Sequence, residues 1–582
     1  MSSLTSPKLK NRTAGLHLLL LLGWLAIATG LRFYHLEFKP PWSDEWATIV
    51  FSLGHSFRTI PLDRVISLDT LLLPLQTRVA TQPSDVIVRL MSESTHPPVY
   101  FLLTHLWLKM FSGESGLVSL WAARSLSALL GAVSIPAMFG LGWLVFRSRA
   151  IAHLAAALMA VSPFGIYLAQ DARHYTLATL GIIASLACLI VALRHVQRRL
   201  ILPLWLVLVW VSINSLTIAT HYFFVLTLMA QMLVLLGFWL ADLKKSGWVA
   251  LFPAHWRRIY AAVAGTTMGG IIWLSAWRSI PDNTLIDWIY HSQRLGLAFL
   301  EPIGRTIAWF ITMFFLLPVE HAPLPMAIAS AIIILLVLCW LMPSVVRTWR
   351  IQLQQTATRL PVKILGGFVV AAIALILAIA YGLGKDLSLA ARYQFIYFPA
   401  VVLLMAAALA QIWQATPVSF HYFPAKGKTA VIFILLMSFL GALTVIYDWG
   451  FQKPDRPNLL VNTMLEAHQI VAPEVPILIA NLHKTHEQTG EVMGLAWEFQ
   501  KQRDRLASPP QFLLAHYAND DSPMAFQTLD RILSAYSRPF QLWLVNFPAA
   551  STELASRNCY PNLDFQGKVS GYYYDLYFCK TP

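Results

Sequence analysis

Residues 14–46 read AGLHLLLLLGWLAIATGLRFYHLEFKPPWSDEW. The first part is an apolar run of about 20 residues, the length a helix needs to cross the hydrocarbon core of a bilayer. Past its end come two prolines, a tryptophan and the acidic pair Asp44-Glu45. Met1 to Arg12 is short and basic, as in a secretory signal, but residues 16–31 do not offer a small-x-small cleavage site with a soluble chain beyond it. The run is expected to remain as the first span, with the N-terminus in the cytoplasm.

The same pattern recurs along the chain. Of 582 residues, 57% are hydrophobic and 12% charged, with a mean hydropathy of +0.59. A soluble domain carries roughly a quarter charged residues, so most of the surface faces lipid. Apolar segments fall at 14–34, 97–111, 120–146, 150–167, 175–194, 201–219, 221–241, 258–278, 303–318, 325–342, 363–383, 394–413 and 429–447. The net charge of +14 is explained by cations gathered in cytoplasmic loops, and nucleic acid is not expected as a partner. The basic connectors are Arg147/Arg149, Arg194/Arg198/Arg199, Lys244/Lys245 with Arg257/Arg258, Arg347/Arg350/Arg359, and Lys426/Lys428. All of them fall inside if the short segments 97–111 and 303–318 are juxtamembrane helices. That leaves about eleven spans. With either an eleven- or a thirteen-span count, the C-terminal region lies outside.

The expected domains are therefore a transmembrane part, 1–447, with a long first outer loop at 35–119, and a soluble extracytoplasmic part, 448–582. Short apolar runs at Val475 to Ala480, Gln511 to Ala515, Gln541 to Val545 and Tyr572 to Phe578 read as strands, and 486–500 and 523–536 read as helices. The tail is expected to be a small α/β domain. Cys188 and Cys339 sit in apolar runs, whereas Cys559 and Cys579 lie in the extracytoplasmic part and are expected to pair as a disulfide.

Four polar stretches carry the chemistry, and each also has a plainer reading. Asp44-Glu45 stands where acids are costly to hold, on the order of 2.5–3.5 kcal/mol each at mid-bilayer and less near the surface. Two carboxylates suit general-base work, or one can bind a metal while the other takes a proton; the plain reading is a solvated interfacial pair. His96-Pro97-Pro98 opens a helix, because prolines lack the N–H groups that go unbonded there, and His96 could hold a phosphate or, with Glu45, a divalent metal. Gln170-Asp171-Ala172-Arg173-His174-Tyr175 is a tight polar loop in which Arg173 could grip a lipid phosphate, since guanidinium matches phosphate oxygens; otherwise Arg173 snorkels beside Asp171. Lys385, Arg392 and Arg124 are further cations at outer span ends. Thr220-His221-Tyr222, and the loop 278–300 with Asp282, Asp287, Trp288, His291 and Arg294, are weaker signals.

The set as a whole resembles the GT-C glycosyltransferases of family 39 (PMT_2-like) type, which include protein O-mannosyltransferases and lipid A aminoarabinose transferases. The resemblance rests on the acid pair, His-Pro-Pro, Arg124 before a span with Gly131 and Pro136, Ser162-Pro163-Phe164 leading to Gln170–Tyr175, and Ala391-Arg392-Tyr393. It is strong over 14–195, weaker to 413 and thin beyond. It implies a GT-C fold of about 11–13 transmembrane helices in the plasma (inner) membrane. It also implies transfer of a monosaccharide from a polyprenyl-phosphate donor to an extracytoplasmic glycan, lipid or protein hydroxyl, with inversion. Asp44 would be the base, with Glu45 as its partner or a ligand, together with His96, to Mg, Mn or Zn. Asp171 would support the site. His96, Arg124, Arg173, Lys385 and Arg392 would hold the donor phosphate, and Tyr175 and Tyr393 would contact substrate. The chain departs from the pattern in having His-Pro-Pro where the aminoarabinose transferases carry Lys-Pro, and in lacking the inserted MIR domains of the eukaryotic O-mannosyltransferases. The competing readings are a flippase of lipid-linked sugars, which calls for repeats or a mid-membrane site, an O-antigen-type polymerase or ligase, which has a large late outer loop, and a non-catalytic relative.

Overall fold

A computed structural model describes residues 7–77, 80–111, 116–246, 253–274, 289, 296–415, 426–517, 524–548 and 551–581. The weak signals at Asp282, Asp287, Trp288, His291 and Arg294 lie outside the described residues. The chain divides into two compact units: 1–36 with 95–100 and 124–452, and 37–94 with 101–123 and 453–582.

The first unit is helical. Among the described residues, seven helices are long and apolar enough to cross a membrane: Gly15–Phe33, Leu120–Phe146, Tyr175–Gln197, Phe224–Lys245, Leu324–Gln354, Thr356–Gly382 and Gly427–Ile446. The protein is a multi-pass membrane protein. The other four expected spans take different forms. Leu204–Ile218 and Phe398–Gln414 are shorter apolar helices, and Arg149–Val161 with Pro163–Ala169 is a pair bent by 57°. Ala254–Ile271 begins with Arg257 and Arg258 in its first turns. The segments read as juxtamembrane are the short helices Val99–Lys109 and Glu301–Thr312.

The bend has a chemical cause. Pro163 has no N–H, so the carbonyl of Met159 loses its helical partner. Arg32, fully buried, fills the gap: Nη2 donates to Met159 O at 2.9 Å and Nη1 to Ala160 O at 3.0 Å. Gly131 makes room for it, since a Cβ there would lie 3.0 Å from Arg32 Nε. The Ser162 hydroxyl caps the next helix at Gly165 N, 3.1 Å. That helix delivers the chain to Gln170 and the polar loop.

The second unit is built on one six-stranded sheet: β1 (Val65–Ser67), β2 (Ile477–His483), β3 (Gln511–His516), β4 (Phe540–Val545), β5 (Cys559–Val569) and β6 (Tyr572–Cys579), in the order β1-β3-β2-β4-β6-β5. β2 lies parallel to both β3 and β4, and the other pairings are antiparallel. The helices His486–Lys501 and Met524–Ala535 make the crossovers. Two strands escape the sequence reading. β1 comes from the first loop and is three residues long, and β5 is mostly exposed and interrupted by a bulge between Asn562 and Gln566. Cys559 and Cys579 face each other across β5 and β6 and are disulfide-bonded.

Candidate functional site

In the membrane unit, several helix ends converge on one polar cluster. The loop Gln170–Tyr175 is held from below by Gln170 Nε2, which donates to Tyr34 O at 3.1 Å, and turns tightly through Arg173 N to Asp171 O at 2.7 Å. All its polar members are buried: Gln170, Asp171, Arg173 and His174 are each 4% exposed or less. Arg173 Nη2 donates to His96 Nε2 at 3.2 Å. The Arg173 carbonyl accepts from Ser127 Oγ at 2.9 Å, and Ser127 pairs with the Tyr100 hydroxyl at 2.6 Å. Val99 N donates to Ala219 O at 3.1 Å, tying the His-Pro-Pro turn to the next loop.

That next loop supplies His221. Its ring lies 4.3 Å from His174, centre to centre, and His174 is 5.5 Å from His96. The His221 Nδ1 accepts from Phe223 N at 3.1 Å, so its proton sits on Nε2, which has no hydrogen-bond partner among the described residues. Burial, and then the neighbouring His96, Arg173 and Arg392, hold His221 well below the ordinary imidazole range. Burial dominates for His174 too, followed by His221, Arg173, His96 and Arg392. Both rings are therefore neutral at pH 7, and the guanidiniums supply the charge. Arg392 lies over Tyr393 at 5.3 Å, and Phe395 packs on both Tyr175 and His221. Tyr175, Phe224 and Phe398 each open a helix at this end, and helix N-termini favour anions. The cluster combines the buried Arg173 and the half-buried Arg392 with the buried imidazoles of His174 and His221 and with helix N-termini, an arrangement that suits a phosphate.

Of the residues expected from sequence, His96, Arg173, Tyr175, Arg392 and Tyr393 come together here. His174 and His221 join them. His174 was visible as the neighbour of Arg173, and His221 only as a lone histidine between spans. Arg124 is fully buried and donates to Leu36 O at 2.8 Å. Asp171 is buried within the loop. Lys385 is half-buried beside Asp386, which is paired with Arg305 at 2.6 Å. Arg305 carried no sequence signal.

Asp44 and Glu45 belong to the sheet-bearing unit. They lie in the first turn of the helix Ser43–Ser52, where the helix dipole favours acids. Glu45 is fully buried; Asp44 is the one residue of that helix left partly exposed. The turn rests on the helix His486–Lys501: a Cβ on Gly490 would lie 3.2 Å from Ser43 Cα, and Trp46 packs on Trp497 at 5.2 Å. Ser43 N donates to Asp455 Oδ2 at 3.4 Å, and Lys453 lies over Trp42 at 5.6 Å. His486 stacks on Phe57 at 5.4 Å. Burial pushes His486 down to about 4 against the attraction of Asp44. Among the described residues no group of three or more His, Cys, Asp or Glu side chains is placed to hold a metal ion.

No family model matches the chain, and no curated protein matches it. Solved structures do. The ArnT enzyme (lipid A aminoarabinose transferase) of Cupriavidus metallidurans, bound to undecaprenyl phosphate, is 12% identical, with 96% of this chain and 99% of that one covered and a TM-score of 0.50. The apo form of the same protein gives 12%, 96%, 98% and 0.50. The oligosaccharyltransferase AglB of Archaeoglobus fulgidus, with an inhibitory peptide and a dolichol-phosphate, is 11% identical over 91% of this chain and 69% of that one, with a TM-score of 0.44. With its membrane helices and small C-terminal sheet, and with a match to ArnT over 96% of its length, the chain has the GT-C fold.

Proposed function

We propose that this protein is an integral-membrane glycosyltransferase that moves a monosaccharide from a polyprenyl-phosphate donor to an extracytoplasmic hydroxyl acceptor, on a glycan, lipid or protein, with inversion at the anomeric carbon. The observation that carries the reading is the cluster of Arg173 and Arg392 with His96, His174 and His221, in which Arg173, His174 and His221 are buried. Two guanidiniums beside helix N-termini match the geometry and charge of a lipid phosphate. The undecaprenyl phosphate bound to ArnT supports this choice.

The chemistry follows from charge. As the bond between the anomeric carbon and the phosphate oxygen breaks, its electrons pass to the phosphate. Arg173 and Arg392 stabilise that charge, an effect worth several kcal/mol in a low-dielectric pocket. His221 Nε2–H adds a neutral donor. The acceptor hydroxyl attacks the anomeric carbon from the face opposite the phosphate and gives its proton to Asp44, with Glu45 as its partner acid, while Asp171 supports the loop that carries Arg173. Tyr175 and Tyr393 offer aromatic faces to the sugar. On this reading the N-terminus is cytoplasmic and the polar loops and 448–582 lie outside the plasma (inner) membrane, as the distribution of basic connectors supports.

The test is transfer of a labelled sugar from a polyprenyl-phosphate donor in membranes. Asp44→Asn should lose transfer at normal expression while still binding the donor. Arg173→Ala should raise KM for the donor as well as lowering kcat. Full activity in Asp44→Asn overturns the base assignment, and unaltered donor KM in Arg173→Ala overturns the phosphate site.

A further inference from the structure

The helices Glu301–Thr312, Leu324–Gln354, Thr356–Gly382 and Phe398–Gln414 surround an apolar cavity of about 750 Å³. Its walls include Phe310, Phe314, Leu338, Trp349 and Met405. Such walls offer water no hydrogen-bond partners, and between membrane helices the available filler is hydrocarbon. One charged side chain reaches the lining, Lys363. One turn on, Gly366 faces open space: a Cβ there would meet nothing within 4 Å.

Beside the cavity runs an open groove on the helix Leu324–Gln354, lined by Arg347 and Arg350 and sharing Met342 with the cavity. Arg347, Arg350 and Lys363 are all exposed. No acidic residue lines either space among the described residues. An apolar slot between membrane helices with cations at one end is the form of site that takes an acyl chain and a lipid phosphate together. Arg347 and Arg350 belong to the basic connector expected in the cytoplasm, and Lys363 follows it at the start of the helix after; this is a different set from Arg173 and Arg392.

We propose that this cavity binds an anionic glycerophospholipid of the cytoplasmic leaflet, with an acyl chain between the four helices and the phosphate headgroup on Lys363, Arg347 and Arg350. The proposal rests on a membrane-spanning chain and not on the transferase reading, so it can fail or hold independently of transfer activity.

The test uses the full chain reconstituted in phosphatidylcholine bilayers with a phosphatidylglycerol probe bearing a photoreactive acyl chain. Labelled peptides are mapped, and unlabelled phosphatidylglycerol, phosphatidylcholine and polyprenyl phosphate compete. The probe should label the helices Leu324–Gln354 and Thr356–Gly382, and phosphatidylglycerol should compete better than phosphatidylcholine by roughly tenfold or more. Gly366→Leu fills the slot with a better helix former and should abolish that labelling. The triple variant Arg347→Gln, Arg350→Gln, Lys363→Gln should still be labelled but lose the preference for phosphatidylglycerol. Equal competition by phosphatidylcholine, undiminished labelling of Gly366→Leu, or stronger competition by polyprenyl phosphate would overturn the proposal.

Discussion

Gly490 offers a way to move the acid pair without touching it. The residue lies in the second turn of the helix His486–Lys501, and a Cβ built there meets Ser43 Cα at 3.2 Å and Ser43 Cβ and O at 3.4 Å each. Those contacts are a few tenths of an ångström too close, and two of the three atoms are backbone. Gly490→Ala therefore displaces the turn that carries Asp44 by about that amount. A 1 Å misplacement of a catalytic group costs on the order of 100-fold in rate, so the expected loss in kcat is roughly three- to tenfold. Gly490→Val should lose more. The stability effect has the opposite sign at its source, because alanine in a helix interior is favoured over glycine by about 1 kcal/mol. The assay is transfer at saturating donor alongside thermal unfolding of the purified protein. The expected pattern is lower kcat with Tm unchanged or raised. Unchanged kcat in both variants would refute the argument that this contact positions the base. A drop in Tm that tracks the drop in activity would show that the contact holds the unit together instead.

Other parts of the molecule make separate predictions. Arg32→Met should destabilise the membrane unit by roughly 2–4 kcal/mol, because the carbonyls of Met159 and Ala160 lose their donors in an apolar setting; resistance to detergent-induced unfolding measures it, and a neutral result would sink the account of the bend. Glu491 is pushed up from 4.5 to about 8, by burial first and then by Asp455 and Glu487. The folded form thus holds a proton that the unfolded form has lost between those two values, and stability should fall as pH rises from about 4.5 to 8. The full effect is on the order of 5 kcal/mol, and Glu491→Gln should flatten Tm against pH across that window. Breaking the Cys559–Cys579 bond, whose cysteines are 20 residues apart, should cost about 3 kcal/mol of stability, read as a lower Tm for Cys559→Ser with Cys579→Ser than for the parent chain under oxidising conditions.

How far each feature could be read from sequence depended on how local its cause was. The membrane helices depend on runs of apolar residues, so their positions were legible, but their form was not. The break at Ser162-Pro163 required knowing that a guanidinium from residue 32 would satisfy carbonyls at 159 and 160. Four strands of the sheet announce themselves as apolar runs. β1 does not, because three residues become a strand only when β3 is present to pair with them. In the polar cluster, Arg173 stood out in a tight polar loop between apolar segments, and His96 at the His-Pro-Pro that opens a helix. His221 did not, since its neutrality and position come from burial among His96, Arg173 and Arg392.

The same reasoning bears on the acid pair. In isolation, Asp44-Glu45 reads equally well as a hydrated pair at the interface. Full burial of Glu45 and partial exposure of Asp44 within one helical turn separates the two carboxylates. The separation comes from residues more than 400 positions away: Gly490 presses on Ser43, Asp455 accepts from its N–H, and Trp497 packs on Trp46. A solvated surface pair needs no such frame. A buried carboxylate beside a partly open one, in the first turn of a helix whose dipole favours both, is the environment that lets one acid hold position while the other exchanges a proton with a ligand. On the proposed reading, the role of the C-terminal sheet domain is to fix the turn on which the base stands.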